Sequence, residues 1–362
     1  MKTKRLTLVI MGILVAFSLA SQVMAGGLKR FEGRTLNVTA WSGPYAEGFR
    51  EAFVIPFMEA TGAKVILHPG WGEFISKIKA SPPDNPPYDV FLADGWNYIN
   101  ARNNGFLLPI RKENIPNLKY VYPFLKEYKY YKEGLGVPFD GGPYLLVYMP
   151  DKVPFTPRSW SDLKREEVIG KITLDETWYY GLYIAAFINR SKPGIEELFS
   201  DEGIDECFEI MAELAPRARK FYKGGAEFFS LLKTGEAVMG PYYSAGTFAE
   251  MQKGLKCKMV VPEEGIISYV DFLTVIRGTK NRDLAEAFIN FCLDAKNQTI
   301  FAHKLANWMA NSKAELPEEV RGLLPTSNEE FEKMYFEDWE FISAKSLELS
   351  ERWKKEVLTR AR

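Results

Sequence analysis

Apolar residues recur along this chain in two alternating rhythms. Thr35-Leu36-Asn37-Val38-Thr39-Ala40-Trp41 alternates with a period of two and predicts a strand, broken by Ser42-Gly43-Pro44. Phe49, Ala52, Phe53, Phe57 and Ala60 then recur at three-to-four spacing, predicting a helix over 45–60, kinked at Pro56 and ended by Gly62. Residues 63–68 predict a second strand, 73–79 a short helix, 81–87 a stiff proline-rich loop, and 88–94 a strand buried on both faces. Strands alternating with helices imply βαβ units and a mainly parallel sheet. Loops at the carboxyl ends of such strands form the expected ligand edge. Residues 41–45, 68–71 and 94–96 fall there.

A second unit begins near 137–143, where Pro and Gly cluster ahead of a strand at 144–148. Further strands are predicted at 170–176, 235–243, 257–261 and 269–276, with helices at 179–189, 203–214 and 284–293. The tail from Asn328 reads as helical, rich in charge and aromatics. No internal repeat or low-complexity segment interrupts this pattern.

The N-terminus stands apart. Lys2, Lys4 and Arg5 precede an apolar run of fifteen residues, 6–20, and Val23-Met24-Ala25 offers a cleavage point. This reads as a secretory signal peptide over 1–25, with a retained anchor as the alternative. No cysteine follows the run, which disfavours lipid attachment, and no later stretch reaches the length of a spanning helix. Cys207, Cys257 and Cys292 are widely spaced; one disulfide with a free thiol, or three buried thiols, are both open.

At 362 residues the chain is long enough for two domains, and 46% hydrophobic with 26% charged residues is a globular composition. Lys plus Arg number 46 against 47 for Asp plus Glu, so there is no basic excess for a phosphate backbone, and nucleic-acid binding is disfavoured. Without the three signal charges the balance is 43 positive against 47 negative. Aromatics reach 14%, a surplus often turned toward small ligands, although most rings must be core.

Several stretches, in order, resemble the solute-binding proteins of ABC importers, the spermidine/putrescine-binding group above all. They are Leu36 to Trp41, Pro56-Phe57-Met58-Glu59-Ala60-Thr61-Gly62, Tyr88-Asp89-Val90, Asn104-Gly105-Phe106-Leu107-Leu108-Pro109, Pro157-Arg158-Ser159-Trp160, Thr234-Gly235-Glu236-Ala237-Val238-Met239-Gly240 and Val261-Pro262-Glu263-Glu264-Gly265. The resemblance implies an α/β, two-lobed periplasmic-binding-protein fold, type II-like, with a cleft between the lobes. One lobe would comprise 34–139 and 271–312, the other 140–270 and 313–362. Crossings are expected near 139–142, Asp271 and Ser312. It also implies a monomer that carries a small-molecule solute to ABC permease subunits driven by a cytoplasmic ATPase, outside the cytoplasm and without a cofactor, metal or catalysis.

The same resemblance puts Trp41, Tyr45, Asp94, Trp96, Asp140, Glu176, Tyr179, Tyr243, Tyr269, Asp271 and Trp308 at the ligand cleft. Asp94 equally suits a helix N-cap, and Trp41 a core cap. Asp271 is the strongest candidate from the residues themselves: a bare carboxylate amid Val270 and Phe272-Leu273 is costly without a partner. Tyr179 stands where the family places a second acid. An aromatic box with thinned carboxylates suits one cation, as in a monoamine or quaternary ammonium. A polyamine stays open through Asp94, Asp175, Glu176 and Asp271. Alternatives on the same fold are a sugar, or ferric ion through Tyr242-Tyr243. A secreted hydrolase ranks lower, since no GxSxG, HExxH or GxxxxGK occurs.

Overall fold

The computed structural model describes residues 31–190, 198 and 200–361. The signal segment therefore lies outside the described residues. Among those described, no helix is long and apolar enough to cross a membrane.

The chain builds two main sheets. The first contains β1 (Thr35–Trp41), β2 (Lys64–Gly70), β3 (Val90–Ala93), β4 (Leu107–Leu108), β5 (Gly136–Gly141), β12 (Asp271–Ile276) and β13 (Trp308–Met309). The second contains β6 (Tyr144–Tyr148), β7 (Ile172–Asp175), β8 (Ala218–Tyr222), β9 (Met239–Tyr243) and β10 (Lys258–Val260). A small ribbon pairs β11 (Ile266–Ser268) with β14 (Met334–Phe336).

The strand order is β13-β5-β12-β3-β1-β2, with β4 beside β12, and β10-β6-β9-β7-β8. Neither sheet is mainly parallel, contrary to expectation. β1 runs parallel to β2 and β3, but β12 runs antiparallel to β3, β4 and β5. The reason is connectivity. β1, β2 and β3 end at the cleft edge, whereas β12 enters from the other lobe and starts there, so Phe272 pairs with Ala93. A returning strand that begins where its neighbours end must run against them. In the second sheet β7 is parallel to β8 and β9, while β6 is antiparallel to β9 and β10.

Local sequence explains the elements that carry the site. In β1 the period-two pattern buries Leu36, Val38 and Ala40 and ends with Trp41 at the cleft. Helix Pro44–Phe49 passes through a wide turn, Arg50–Val54, into helix Ile55–Thr61. Pro56 has no N–H to donate and crowds the preceding turn, so the kink expected there takes the form of a π-type turn. Gly62 ends the helix with φ 72°, a left-handed conformation that a side chain would strain. Most aromatics are core, as in the Phe49, Phe53, Phe139 and Phe301 cluster.

The chain passes between the sheets at three places. Gly141 and Tyr144 bracket the first, and Ser268 and Asp271 the second. The third lies at β14, not at Ser312. Ser312 still bonds Tyr120 through its backbone N–H and hydroxyl, and Phe331 still packs on Tyr122 and Trp308. After β14 the long helix Trp339–Glu356 packs on helices Trp178–Arg190 and Asp201–Leu214 of the second lobe and, at its start, on helix Gly95–Asn103 of the first. The tail is therefore helix, strand, helix, not helical throughout. The strand expected over 235–243 is confined to β9, because Gly235 caps helix Gly224–Thr234. Cys207, Cys257 and Cys292 are all buried.

Candidate functional site

The two sheets present their cleft edges to one cavity of about 360 Å³. The first sheet contributes Trp41, Tyr45 and Trp71 from the ends and following loops of β1 and β2, with Asp94 after β3 and Asp271 at the start of β12. Tyr179, Tyr180, Tyr242 and Tyr243 form the facing wall, and Tyr269 comes from the second crossing. Glu337 and Trp339 come from the third. Among the described residues, no Lys, Arg or His lines this cavity.

The rings form a continuous wall. Trp71 stacks on Trp41 at 5.7 Å with 12° between planes, and is 61% exposed at the rim. Tyr243 meets Tyr269 edge-on at 5.4 Å and Tyr180 at 5.7 Å. Tyr179 meets Trp339 at 5.5 Å. Tyr242 and Tyr243 point to opposite faces of β9, as neighbours on a strand must. Tyr242 stacks on Phe228 at 4.7 Å while Tyr243 packs on Tyr144.

Asp271 is fully buried. The Trp41 indole Nε1 donates to its Oδ2 at 2.8 Å, and Oδ1 has no hydrogen-bond partner. Across the ladder it faces Asp140 of β5. The Tyr45 hydroxyl donates to Asp140 Oδ1 at 2.9 Å, and Asn307 Nδ2 to Oδ2 at 2.7 Å. Burial, then repulsion from Asp140 and Asp94, pushes the Asp271 carboxyl well above the usual carboxylate range. Burial raises Asp140 too, against its two donors.

Asp94 combines both roles open to it. It caps helix Gly95–Asn103, accepting from the Asn97 backbone N–H at 2.8 Å and from Asn97 Nδ2 at 3.0 Å, and it also lines the cavity. Burial raises its carboxyl, and the Asn97 donors oppose that.

Glu337 was not singled out in the sequence, yet it is the third carboxyl group in the lining. It follows β14 and is 2% exposed. Trp339 Nε1 donates to its Oε2 at 2.9 Å. Burial, with the Asp94 charge nearby, pushes it up to about 8. Trp339 is wedged against Gly95, where an added Cβ would fall 1.8 Å from Trp339 Cδ1. Only glycine permits that approach, which fixes the tail across the cleft. An acid between aromatics at a strand end was the signal available, masked by the charge density of the tail.

Four sequence candidates do not line this cavity. Trp96 is exposed on the outer side of its helix turn and meets Trp339 at 6.4 Å. Asp140 lies behind Tyr45. Trp308 is fully buried, donating through Nε1 to Ser268 Oγ at 2.9 Å. Glu176 faces outward, 3.4 Å from Lys223 Nζ. Asp175 is also withdrawn: Tyr144 donates to its Oδ2 at 3.0 Å. Asp175 and Glu176 thus lie outside the cavity lining, and Glu337 adds an acid to it.

Two lobes joined by three crossings, with the cavity between them, define a two-lobed binding-protein fold. A family model described as bacterial extracellular solute-binding protein matches residues 52–329. The chain belongs to that family and acts as the substrate-binding component of an ABC importer. It is 24% identical over 347 residues to a gamma-aminobutyric acid-binding protein of Pseudomonas aeruginosa, covering 94% of this chain and 93% of that one. It is 23% identical over 240 residues to the spermidine/putrescine-binding periplasmic protein of Salmonella typhimurium, covering 66% and 67%. The solved spermidine/putrescine transporter substrate-binding protein of Streptococcus pneumoniae superposes with a TM-score of 0.75 at 19% identity, covering 90% of this chain and 99% of that one.

Proposed function

We propose that this protein captures a small organic cation, an amine without an acidic group, and delivers it to the permease. The carrying observation is the lining itself: Asp94, Asp271 and Glu337 face an aromatic cavity that offers them no basic side chain. A buried carboxylate lacking a counter-charge is expensive, and an entering ammonium supplies one. Tyr and Trp faces add cation–π attraction. The relatives that bind spermidine and putrescine or gamma-aminobutyric acid support a nitrogenous cation. A ligand of the latter kind also bears a carboxylate, which would enter a cavity whose charged side chains are all acidic, so the amine without an acid fits better. The chain acts outside the cytoplasm as a monomer, exported by residues 1–25, and catalyses nothing. The permease subunits it serves are driven by a cytoplasmic ATPase. These readings rest on the signal pattern and on relatives named as periplasmic binding proteins.

A thermal-shift panel on residues 26–362 tests the ligand class, because binding to the native state raises the melting point. Putrescine, spermidine or a quaternary ammonium is expected to raise it. A shift with gamma-aminobutyric acid, a sugar or ferric ion, and with none of these amines, would overturn the ligand class.

A further inference from the structure

The mouth of the cavity is aromatic and its acids are inside, so a cation must meet groups that already hold some state of charge. We propose that cation capture here is a proton exchange: the Glu337 carboxyl keeps a proton while the cavity is empty and gives it up to solvent when an ammonium group arrives. This rests on the amine reading above.

The geometry leaves the empty site few alternatives. Glu337 is 2% exposed, and the Trp339 indole N–H is its side-chain donor. The groups facing it are acids and phenols. Asp94 approaches from the N-terminus of helix Gly95–Asn103, and Asp271 from β12. Tyr179 and Tyr183 come from helix Trp178–Arg190, Tyr243 from β9 and Tyr269 from the second crossing. Tyr128, on the far side, donates to the Glu337 backbone carbonyl at 3.3 Å. The nearby basic groups are committed elsewhere. Lys129 Nζ sits 2.8 Å from Asp338 and 3.6 Å from Glu340, and Arg102 is held by Glu133 and Glu340.

A second observation points to a cation rather than to a merely acidic cluster. Asp271 is fully buried, lines the same cavity, and leaves Oδ1 without a partner. Three buried carboxyl groups lining one cavity that has no basic side chain among the described residues cannot all ionise. The pressure falls on both: burial and neighbouring acids hold the Asp271 carboxyl well above its ordinary range, and burial with the Asp94 charge pushes Glu337, which has the Trp339 donor, up to about 8. The exchange balances without any other reactant. The ammonium keeps its own protons, the carboxyl O–H breaks, its proton goes to buffer, and the carboxylate remains beside the cation.

Two measurements test this. The first needs no ligand. In the empty protein the Trp339 indole ¹H–¹⁵N resonance, assigned by its loss in Trp339→Phe, is followed against pH. A midpoint near 8 that vanishes in Glu337→Gln is expected, and a midpoint near 4–5 would overturn the proposal. The second is calorimetry with putrescine, spermidine and choline in buffers of different ionisation heat. Glu337 near 8 by itself makes affinity about fifty-fold weaker at pH 6 than at pH 8, with close to one proton released at pH 7 in addition to any from Asp271. Glu337→Gln keeps an acceptor for Trp339 and should release about one proton fewer. Tight binding with equal proton release in parent and variant would overturn the exchange and leave the amine reading intact. Failure of every cation to bind would overturn the amine reading, and the exchange with it.

Discussion

Glu286 and Glu337 are both buried glutamates, and the protein treats them in opposite ways. Glu286, in helix Arg282–Cys292, is fully buried. Arg111 Nη2 donates to it at 2.6 Å, Asn114 Nδ2 at 2.6 Å and Arg282 Nε at 3.2 Å. Burial alone would raise its carboxyl; the Arg111 and Asn114 donors outweigh that and hold it below its ordinary value. Glu337, at the cleft, has one indole donor and is pushed up to about 8. Burial alone thus does not decide the charge of an acid in this fold: the Arg111 guanidinium outweighs it at Glu286, whereas the neutral donors of Glu337, Asp94 and Asp140 do not. Where charge serves the scaffold, the chain supplies guanidinium groups. At the cleft it withholds them, and a cationic solute can take their place.

The largest test of that contrast is Glu286→Ala, which leaves Arg111 and Arg282 without their shared acceptor. A loss of about 2–3 kcal/mol in chemical denaturation is expected, less than for a fully buried pair because Arg111 and Arg282 are about a third exposed and water can take up their charge. Asp271→Asn should do the reverse: fold well, yet weaken amine binding by about 10–100-fold in calorimetry, the scale of one charged hydrogen bond. The third test uses pH. A carboxyl raised from its ordinary 4.5 to about 8 binds its proton more tightly in the folded state. Stability of the empty protein therefore falls as pH rises through that window and levels off above it. Glu337→Gln should remove that slope and raise the stability of the empty protein at pH 8, while weakening amine binding. The smallest effects are at the rim and outside. Trp71→Ala should weaken binding by about 3–5-fold, an exposed cation–π contribution. Glu176→Gln, paired with Lys223 away from the cavity, should leave affinity unchanged.

The same contrast marks what was legible in the sequence. Trp41, Tyr45 and Asp94 were readable because strands end where alternation stops and Gly or Pro follows. Asp271 was readable because an acid inside an apolar run needs a reason. Tyr243 and Tyr269 followed from the family resemblance, and both line the cavity. Glu337 and Trp339 were hidden because their place depends on β14 pairing with β11, some seventy residues earlier in the chain. No local pattern encodes that pairing. Trp308 was misplaced for a similar reason: pairing of β13 with β5 sets its indole against Ser268 and the core instead of the cleft. Parallel sheets were expected because the crossings reverse strand direction without leaving a mark on hydropathy.

The most direct test of the central claim is a crystal structure of the protein grown with the amine that gives the largest thermal shift. The account predicts an ammonium nitrogen within hydrogen-bond distance of Asp271 Oδ1, enclosed by Trp41, Tyr243 and Tyr269, with Glu337 within reach of the same ligand. An amine bound outside this cavity, or lying in it with its nitrogen turned away from Asp271 and Glu337, would contradict it.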